Sequence, residues 1–129
     1  MKKLSMLLLV IIGLALITSC SLSKKTEFIL NDEIVSLKVT SKTTLQELEE
    51  ISIELLTKKN IKIDFSKSEF KSNGLIKVLE LEVDCQDGFG GSVGAPYLAL
   101  KLGYSYGFER TYKPNGEGSF KTGTINLCR

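Results

Sequence analysis

Hydrophobic and polar positions follow three patterns along the sequence. Residues 4–17 form an apolar run interrupted only by Ser5 and Gly13, and residues 44–60 place apolar side chains at a helical spacing. Most other segments alternate between apolar and polar residues, which is typical of strands with one buried face. The pattern therefore predicts an N-terminal targeting segment followed by a domain with one main helix and several strands.

The N-terminal run has the features of a signal peptide. Lys2 and Lys3 precede it, small residues follow it, and its length of about 14 residues falls short of the ~20 that a membrane-spanning helix needs. It ends in the sequence ITSC at residues 17–20, which resembles the lipobox of bacterial lipoproteins. The resemblance implies that cleavage makes Cys20 the mature N-terminus, linked to a diacylglycerol and N-acylated. An ordinary secretory signal peptide and an uncleaved N-terminal anchor are the alternatives.

Lipidation would attach the protein firmly to a membrane. One acyl chain, at about 0.8 kcal/mol per buried CH₂, binds only reversibly, whereas two or three chains make release negligible. By analogy with lipoprotein sorting in Gram-negative bacteria, Ser21 in place of an aspartate favours the outer membrane. Periplasmic and cell-surface orientations both remain open. The predicted organisation is a signal peptide over residues 1–19, an anchor and tether over 20–26, and a single domain over 27–129.

The clearest predicted element of the domain is a helix over residues 44–60. Thr44 and Glu47 form a capping box, in which each side chain accepts a hydrogen bond from the other residue's backbone N–H. Asn60 is a suitable C-terminal stop. Glutamates near the start and lysines near the end suit the helix dipole. The predicted apolar face consists of Leu45, Leu48, Ile51 or Ser52, Leu55 and Leu56.

Alternating segments lie on both sides of this helix. Residues 28–30 and 35–40 flank a turn signal at 31–32, and residues 61–66 and 75–85 flank Asn73 and Gly74. The sum is a β-α-β-β core, an α+β fold in which the helix packs on one face of an antiparallel-rich sheet. The other face, at least partly in water, is predicted to present Glu80, Glu82 and Asp84.

The register of the second hairpin follows from the side chains that share a face. A two-residue turn at Asn73 and Gly74 would place apolar residues opposite charged ones. A three-residue loop ending at Gly74 places Ile63 opposite Val83 and requires a positive φ at Gly74. The same register predicts three further pairs, Ile61 with Cys85, Phe65 with Leu81 and Glu69 with Lys77.

The block from about residue 44 to 83 resembles a module found in Bacteroidetes proteins. The resemblance rests on the runs TLQELEEI at residues 44–51, NIKIDF at 60–65 and SNG at 72–74. The module occurs in small lipoproteins and as a tail on membrane-embedded antirepressor-type metallopeptidases. The resemblance implies an accessory, non-catalytic domain, and no peptidase motif is present because the sequence contains no histidine.

The C-terminal third contains a glycine-rich segment and an aromatic row. Residues 86–96 predict a flexible connector, with a ligand-gripping loop as the alternative, and residues 97–102 predict a strand. Aromatic residues then occupy even positions opposite small ones. They favour either a core face or a stacking platform for glycan or peptide. The candidate ligand surface consists of Tyr104, Tyr106, Arg110 and Tyr112, with Phe108 in the same row. Residues after the turn at 113–116 predict a final strand.

Composition narrows the possible chemistry. The 17 basic and 15 acidic side chains give a net charge of +2, which comes from Lys2 and Lys3, so the predicted mature part has no electrostatic footprint for nucleic acid. The absence of histidine removes the commonest general base and the usual zinc ligands. Asp84 and Asp87 lack the further carboxylates of a calcium loop. No metal or cofactor is expected.

Two cysteines remain once Cys20 is assigned to the lipid. An even number of cysteines in an oxidising compartment predicts a disulfide between Cys85 and Cys128, with two free buried thiols as the alternative.

The leading hypothesis is a lipid-anchored, non-enzymatic module of the bacterial cell envelope, with a structural role or with an envelope protein or glycan as partner. One alternative is a hydrolase of envelope glycan that uses a carboxylate pair such as Asp84 and Asp87. The other, which rests on the module resemblance, is an interaction partner of a membrane peptidase sensor.

Overall fold

Antiparallel strands and two helices make up the part of the chain that the computed structural model describes, residues 25–114 and 118–124. This confirms the predicted α+β class. The elements are β1 (Glu27–Leu30), β2 (Ile34–Val39), α1 (Leu45–Lys59), β3 (Lys62–Asp64), β4 (Glu69–Phe70), β5 (Ile76–Asp84), β6 (Gly90–Ala95), α2 (Tyr97–Lys101), β7 (Tyr106–Tyr112) and β8 (Gly118–Thr124).

The strands form two sheets, where the sequence predicted one. The first sheet has the order β1-β2-β7-β8, so an N-terminal hairpin pairs with a C-terminal one. In the second, β3 and β4 pair with β5, and β6 also pairs with β5. The prediction of a single sheet was wrong because the strands flanking α1 do not pair with each other. Their apolar faces and the helix share one core.

Helix α1 begins and ends as its sequence predicts. Thr44 is the N-cap, its Oγ1 accepts a hydrogen bond from Glu47 N at 3.2 Å, and Glu47 Oε1 accepts one from Thr44 N at 3.2 Å. Asn60 is the C-cap in the left-handed conformation, with φ 55° and ψ 32°. The local sequence therefore determines both ends of this helix.

The buried face of α1 is narrower than predicted. Leu48, Ile51 and Leu55 lie in the core, whereas Leu45 and Leu56 are exposed. The two exposed leucines lie at the margins of the stripe, where the sheets do not cover the helix. Within the described residues, no helix is long and apolar enough to span a membrane.

The hairpin that joins β4 to β5 confirms the three-residue loop. Lys71 N donates to Leu75 O at 2.8 Å, Gly74 N donates to Lys71 O at 2.9 Å, and Gly74 has a φ of 88°. Farther along, Ile63 pairs with Val83 as predicted. The predicted pairs of Ile61 with Cys85 and of Phe65 with Leu81 are not among the pairs of β3, because its three paired residues end at Lys62 and Asp64.

The predicted pairing of Glu69 with Lys77 is wrong. Glu69 pairs with Val78 and Phe70 with Ile76, so Lys77 is an extra residue in β5, as in a β-bulge. The predicted register with β5 is restored between β4 and β3, where Ser68 interrupts the edge strand. Its Oγ accepts from Glu80 N at 2.8 Å and donates to Glu80 O at 2.9 Å. The side chain thus takes the place of a strand residue.

Two C-terminal predictions are corrected. The segment 86–96 is a connector only as far as residue 89, because β6 pairs with β5 from Gly90 to Ala95. Residues 97–101 form the short helix α2 instead of a strand, with Pro96 as its N-cap. Proline has no N–H to contribute to a ladder but tolerates a helix start. The final strand is present as β8.

Strand β2 is covered more fully than its alternation predicts. Val35, Leu37 and Val39 are buried in the core as expected, but Lys38 and Thr40 on the opposite face are buried too. Lys38 Nζ lies 3.8 Å from Glu27 Oε2 on the neighbouring strand. Burial lowers the pKa of Lys38, and the charge of Glu27 partly offsets this. The strand that its alternation predicts to be half-buried is therefore covered on both faces at this end.

Candidate functional site

The predicted aromatic row divides between the core and the surface. Strand β7 places Tyr106, Phe108, Arg110 and Tyr112 on one face, and this face turns toward the core. Phe108 is fully buried and lies 6.0 Å from the ring of Phe120 on β8. Tyr106 and Tyr112 are half-buried, and Tyr104 precedes the strand and is exposed. The four residues of the candidate ligand surface therefore do not form one open platform.

Arg110 is the centre of a compact cluster. Its guanidinium carbon lies 4.2 Å from the ring centroid of Phe89 and 4.3 Å from that of Tyr112, so the two aromatic rings flank the cation. Arg110 Nε and Nη2 donate to Asp87 Oδ2 at 3.3 and 2.8 Å, and Nη1 donates to Thr111 O. The side chain is 2% exposed. We refer to Phe89, Asp87, Arg110 and Tyr112 as the arginine clamp.

The clamp fixes the turn between β5 and β6. Asp87 Oδ1 accepts a hydrogen bond from Phe89 N at 3.1 Å, and Gln86 Nε2 donates to Asn60 O at 2.9 Å at the end of α1. Burial alone would raise the pKa of Asp87, but the hydrogen bonds and positive charge of Arg110 outweigh it, so the pKa lies below its ordinary value. Asp87 is thus held as a carboxylate, and the clamp joins the turn to β7 and to α1.

Cys85 lies beside this cluster at the end of β5. It is buried, and burial, followed by the negative charge of Asp87, raises the pKa of its thiol to about 11. A thiol of this kind is protonated at neutral pH and is a poor nucleophile. Its predicted disulfide partner, Cys128, lies outside the described residues, as does the lipidation site Cys20.

A groove of about 570 Å³ lies where α1 meets β3, β5 and β6. Its apolar contribution comes from Leu56, Ile63 and Val83, and its charged residues are three carboxylates and one lysine. The lining residues are Ser52, Leu56, Lys62, Ile63, Asp64, Glu82, Val83, Asp84, Gly91 and Ser92. Sites that bind small molecules typically have volumes of about 300–1,000 Å³ and mostly apolar linings with a few polar groups.

The strand register explains why this groove is acidic. Lys62 pairs with Asp84, and Asp64 pairs with Glu82, so the carboxylates fall on adjacent strands with one basic residue among them. All four side chains are exposed, in line with the prediction that Glu82 and Asp84 face water. The hydrogen bonds that Ser66 donates lower the pKa of Asp64. Ile63 and Val83, which alternate with these charged residues, face the core, so the groove is an apolar concavity with carboxylates at its border.

The carboxylate pair that a hydrolase was expected to use is not assembled here. Asp84 lines the groove, whereas Asp87 belongs to the arginine clamp. A general acid needs a raised pKa, and the pKa of Asp87 is lowered. Among residues 25–114 and 118–124, no group of three or more acidic or cysteine side chains is placed to bind a metal ion.

The groove could not be predicted from the sequence because its residues come from four elements. Ser52, Gly91 and Ser92 have no chemical signal of their own, and the segment containing the last two was expected to be a connector. Two features of the sequence could have indicated this groove. One is Leu56 at the margin of the apolar face of α1, and the other is the set of carboxylates on the solvent-facing side of β5.

No protein-family model matches this sequence, and no curated protein or solved structure matches it. The groove and the clamp must therefore be interpreted from their own geometry.

Proposed function

We propose that this chain is a lipid-anchored, non-enzymatic module of the bacterial cell envelope that binds an extracytoplasmic partner in the groove between α1 and the strands β3, β5 and β6. The observation that supports binding is a groove lined by apolar Leu56, Ile63 and Val83 and bordered by Asp64, Glu82 and Asp84, which alternate with Ile63 and Val83 along β3 and β5. The lipobox ending at Cys20 supports the anchoring.

The charge of the groove indicates the chemistry of its partner. Three carboxylates against Lys62 leave an excess of negative charge, which attracts cations and disfavours anionic ligands. The apolar lining favours a ligand that also has an aliphatic or aromatic part. A basic segment of an envelope protein, in which lysine side chains combine an apolar stem with an amino group, meets both requirements.

The arginine clamp has a structural role beside the groove. Arg110 is buried and its donors are directed to Asp87 and Thr111, so the clamp does not offer its guanidinium to a ligand. It instead keeps β6 and β7 in position beside the groove. The groove is accordingly the more suitable binding surface, and Tyr104 is the exposed member of the earlier candidate set.

Binding to the groove can be tested with the full lipidated chain in detergent and a lysine-rich peptide carrying apolar residues. We expect binding at low salt, with affinity lowered about two- to thirty-fold in the double variant Asp64→Asn, Glu82→Gln, since each of the two exposed charges contributes roughly 0.2–1 kcal/mol. Asparagine at position 64 keeps the acceptor for Ser66 N.

The matched control is Glu49→Gln, which removes one exposed carboxylate from α1 outside the groove. It should bind the peptide almost as the parent does. Equal losses in the control and the double variant would indicate general charge attraction, and no binding by the parent would contradict the proposal.

A further inference from the structure

Four large apolar side chains are exposed within eight residues around α2. Tyr97, Leu98, Leu102 and Tyr104 are each 38% to 64% exposed. Isolated apolar residues on a surface are normal, but a cluster of this density on one short helix marks an interaction surface. We refer to these four residues, together with Lys71 and Lys101, as the α2 patch.

The cations of the α2 patch lie directly beside its aromatic ring. Lys71 Nζ is 5.4 Å and Lys101 Nζ is 5.8 Å from the ring centroid of Tyr97. A tyrosine flanked by lysines, as Tyr97 is, suits the headgroup region of a membrane, where the ring spans the polar boundary and amino groups meet lipid phosphates. Leu98 and Leu102 add side chains that can enter the acyl region.

The α2 patch lies at the end of the domain where the chain enters from the anchor. Thr26 Oγ1 is 2.7 Å from Thr43 Oγ1, and Thr43 O accepts from Ile76 N at 2.8 Å. Leu75 in turn accepts from Lys71 N at 2.8 Å. Lys71 contacts Tyr97, so a short series of contacts joins the entry point to the patch.

Chain length keeps this end close to the bilayer. Six Cα steps separate Cys20 from Thr26, and at ~3.3–3.6 Å per residue they reach no more than about 22 Å. A lipid at Cys20 therefore confines Thr26, and with it the α2 patch, to the vicinity of the membrane surface.

We propose that the α2 patch docks onto the anionic surface of the bilayer that holds Cys20. This inference rests on the lipid anchoring in the proposed function. Docking also orients the groove, because β5 runs from Ile76 near the patch to Glu82 and Asp84 in the groove. Eight residue steps at ~3.3 Å give a separation of about 26 Å along the strand. The groove is thereby presented to the aqueous compartment.

Tryptophan probes test this geometry because the chain contains no tryptophan. Leu102→Trp and the control Ile53→Trp, at an exposed position on α1, are made in the full lipidated protein and reconstituted into vesicles of phosphatidylglycerol and brominated phosphatidylcholine. We expect blue-shifted emission and strong bromine quenching for Leu102→Trp, and neither for Ile53→Trp. Tyr104→Trp provides the same test if circular dichroism shows that Leu102→Trp does not fold.

Charge dependence and self-association give two further outcomes. Lys71→Glu with Lys101→Glu should weaken the quenching of Leu102→Trp in anionic vesicles and change it little in neutral ones. If the acylated protein is bound to vesicles but Leu102→Trp is not quenched, docking is overturned while lipid anchoring stands. A blue shift without quenching that grows with protein density would also overturn docking, because it would show that a second copy of the protein covers the patch. A chain without acyl groups would instead overturn the anchoring and, with it, this inference.

Discussion

Arg110 shows how a charged residue is accommodated in this small core. Its planar guanidinium stacks between Phe89 and Tyr112 while its edge meets the carboxylate of Asp87. Stacking and paired hydrogen bonding at once are properties of arginine that lysine lacks. The sequence placed Arg110 in a ligand surface because a one-dimensional pattern does not reveal Asp87, which is 23 residues away.

Replacing the carboxylate of Asp87 should leave the buried charge of Arg110 without its partner and destabilise the folded state. We expect Asp87→Asn to lower the free energy of unfolding by about 2 kcal/mol, less than the ~3–5 kcal/mol of a fully buried pair because Asp87 is 36% exposed. Urea denaturation provides the measurement. An unchanged midpoint would contradict the structural role of the clamp.

The same pair predicts an acid-dependent stability. Because the pKa of Asp87 in the folded state lies below its ordinary value of 3.8, its contribution is complete above pH 4 and disappears as the pH falls through the folded-state pKa. The free energy of unfolding should therefore decrease on acidification below about pH 4. The free energy of unfolding should decrease less with acidification in Asp87→Asn than in the parent protein. An equal decrease in the two proteins would show that other carboxylates are responsible.

The predicted disulfide between Cys85 and Cys128 can be examined by thiol labelling. It would close a loop of about 40 residues, worth roughly 4 kcal/mol on the chain-entropy model. We expect no iodoacetamide label on either cysteine in the denatured, unreduced protein and two labels after reduction. Labelling of both before reduction would identify free thiols, with Cys85 unreactive in the native protein because of its burial and a pKa of about 11.

At the scale of elements, α1 could be predicted almost completely, since its capping box, C-cap and apolar stripe are all local. The same holds for the β4–β5 loop, which depends on the left-handed conformation of Gly74. Strand β6 could not be predicted in this way, because glycine has little preference for strands. It is held by its pairing with β5 and also lies close to β8, whose Phe120 ring would be 3.1 Å from a Cβ at Gly91.

The groove and α2 were missed for related reasons. Alternating apolar residues over 97–102 fit a strand as well as a short helix, and only tertiary contacts distinguish the two. The groove combines α1 with three strands whose joint position depends on the pairing of β5 with β6. Local pattern thus predicted the carboxylates of β5 but not the surface that they help to line.

Gly107 tests the pairing of β2 with β7. A Cβ at this position would overlap the carbonyl oxygen of Leu37, whereas a Cβ at Gly94 would make only an ordinary contact, 3.5 Å from Leu79 O. We expect Gly107→Ala to lower the free energy of unfolding by about 2 kcal/mol or more, and Gly94→Ala to change it by less than about 0.5 kcal/mol. Similar effects of the two variants would contradict the close approach of the strands.

At the scale of the whole molecule, the proposed docking patch and the proposed binding groove lie at opposite ends of β5. The chain enters beside Thr43 and the α2 patch, and the acidic groove lies at the Asp84 end of the strand. A domain of this design can bind a basic partner in the aqueous compartment while its other end contacts the bilayer. The proposed docking depends on the lipid at Cys20.

The intact mass of the protein extracted from its own membranes tests this dependence most directly. We expect the mass of residues 20–129 increased by a diacylglyceryl group and an amide-linked acyl chain, and we expect Cys20→Ser to be neither acylated nor cleaved at that bond. An unmodified mature chain, or a Cys20→Ser protein found in membranes at the mature mass, would contradict it.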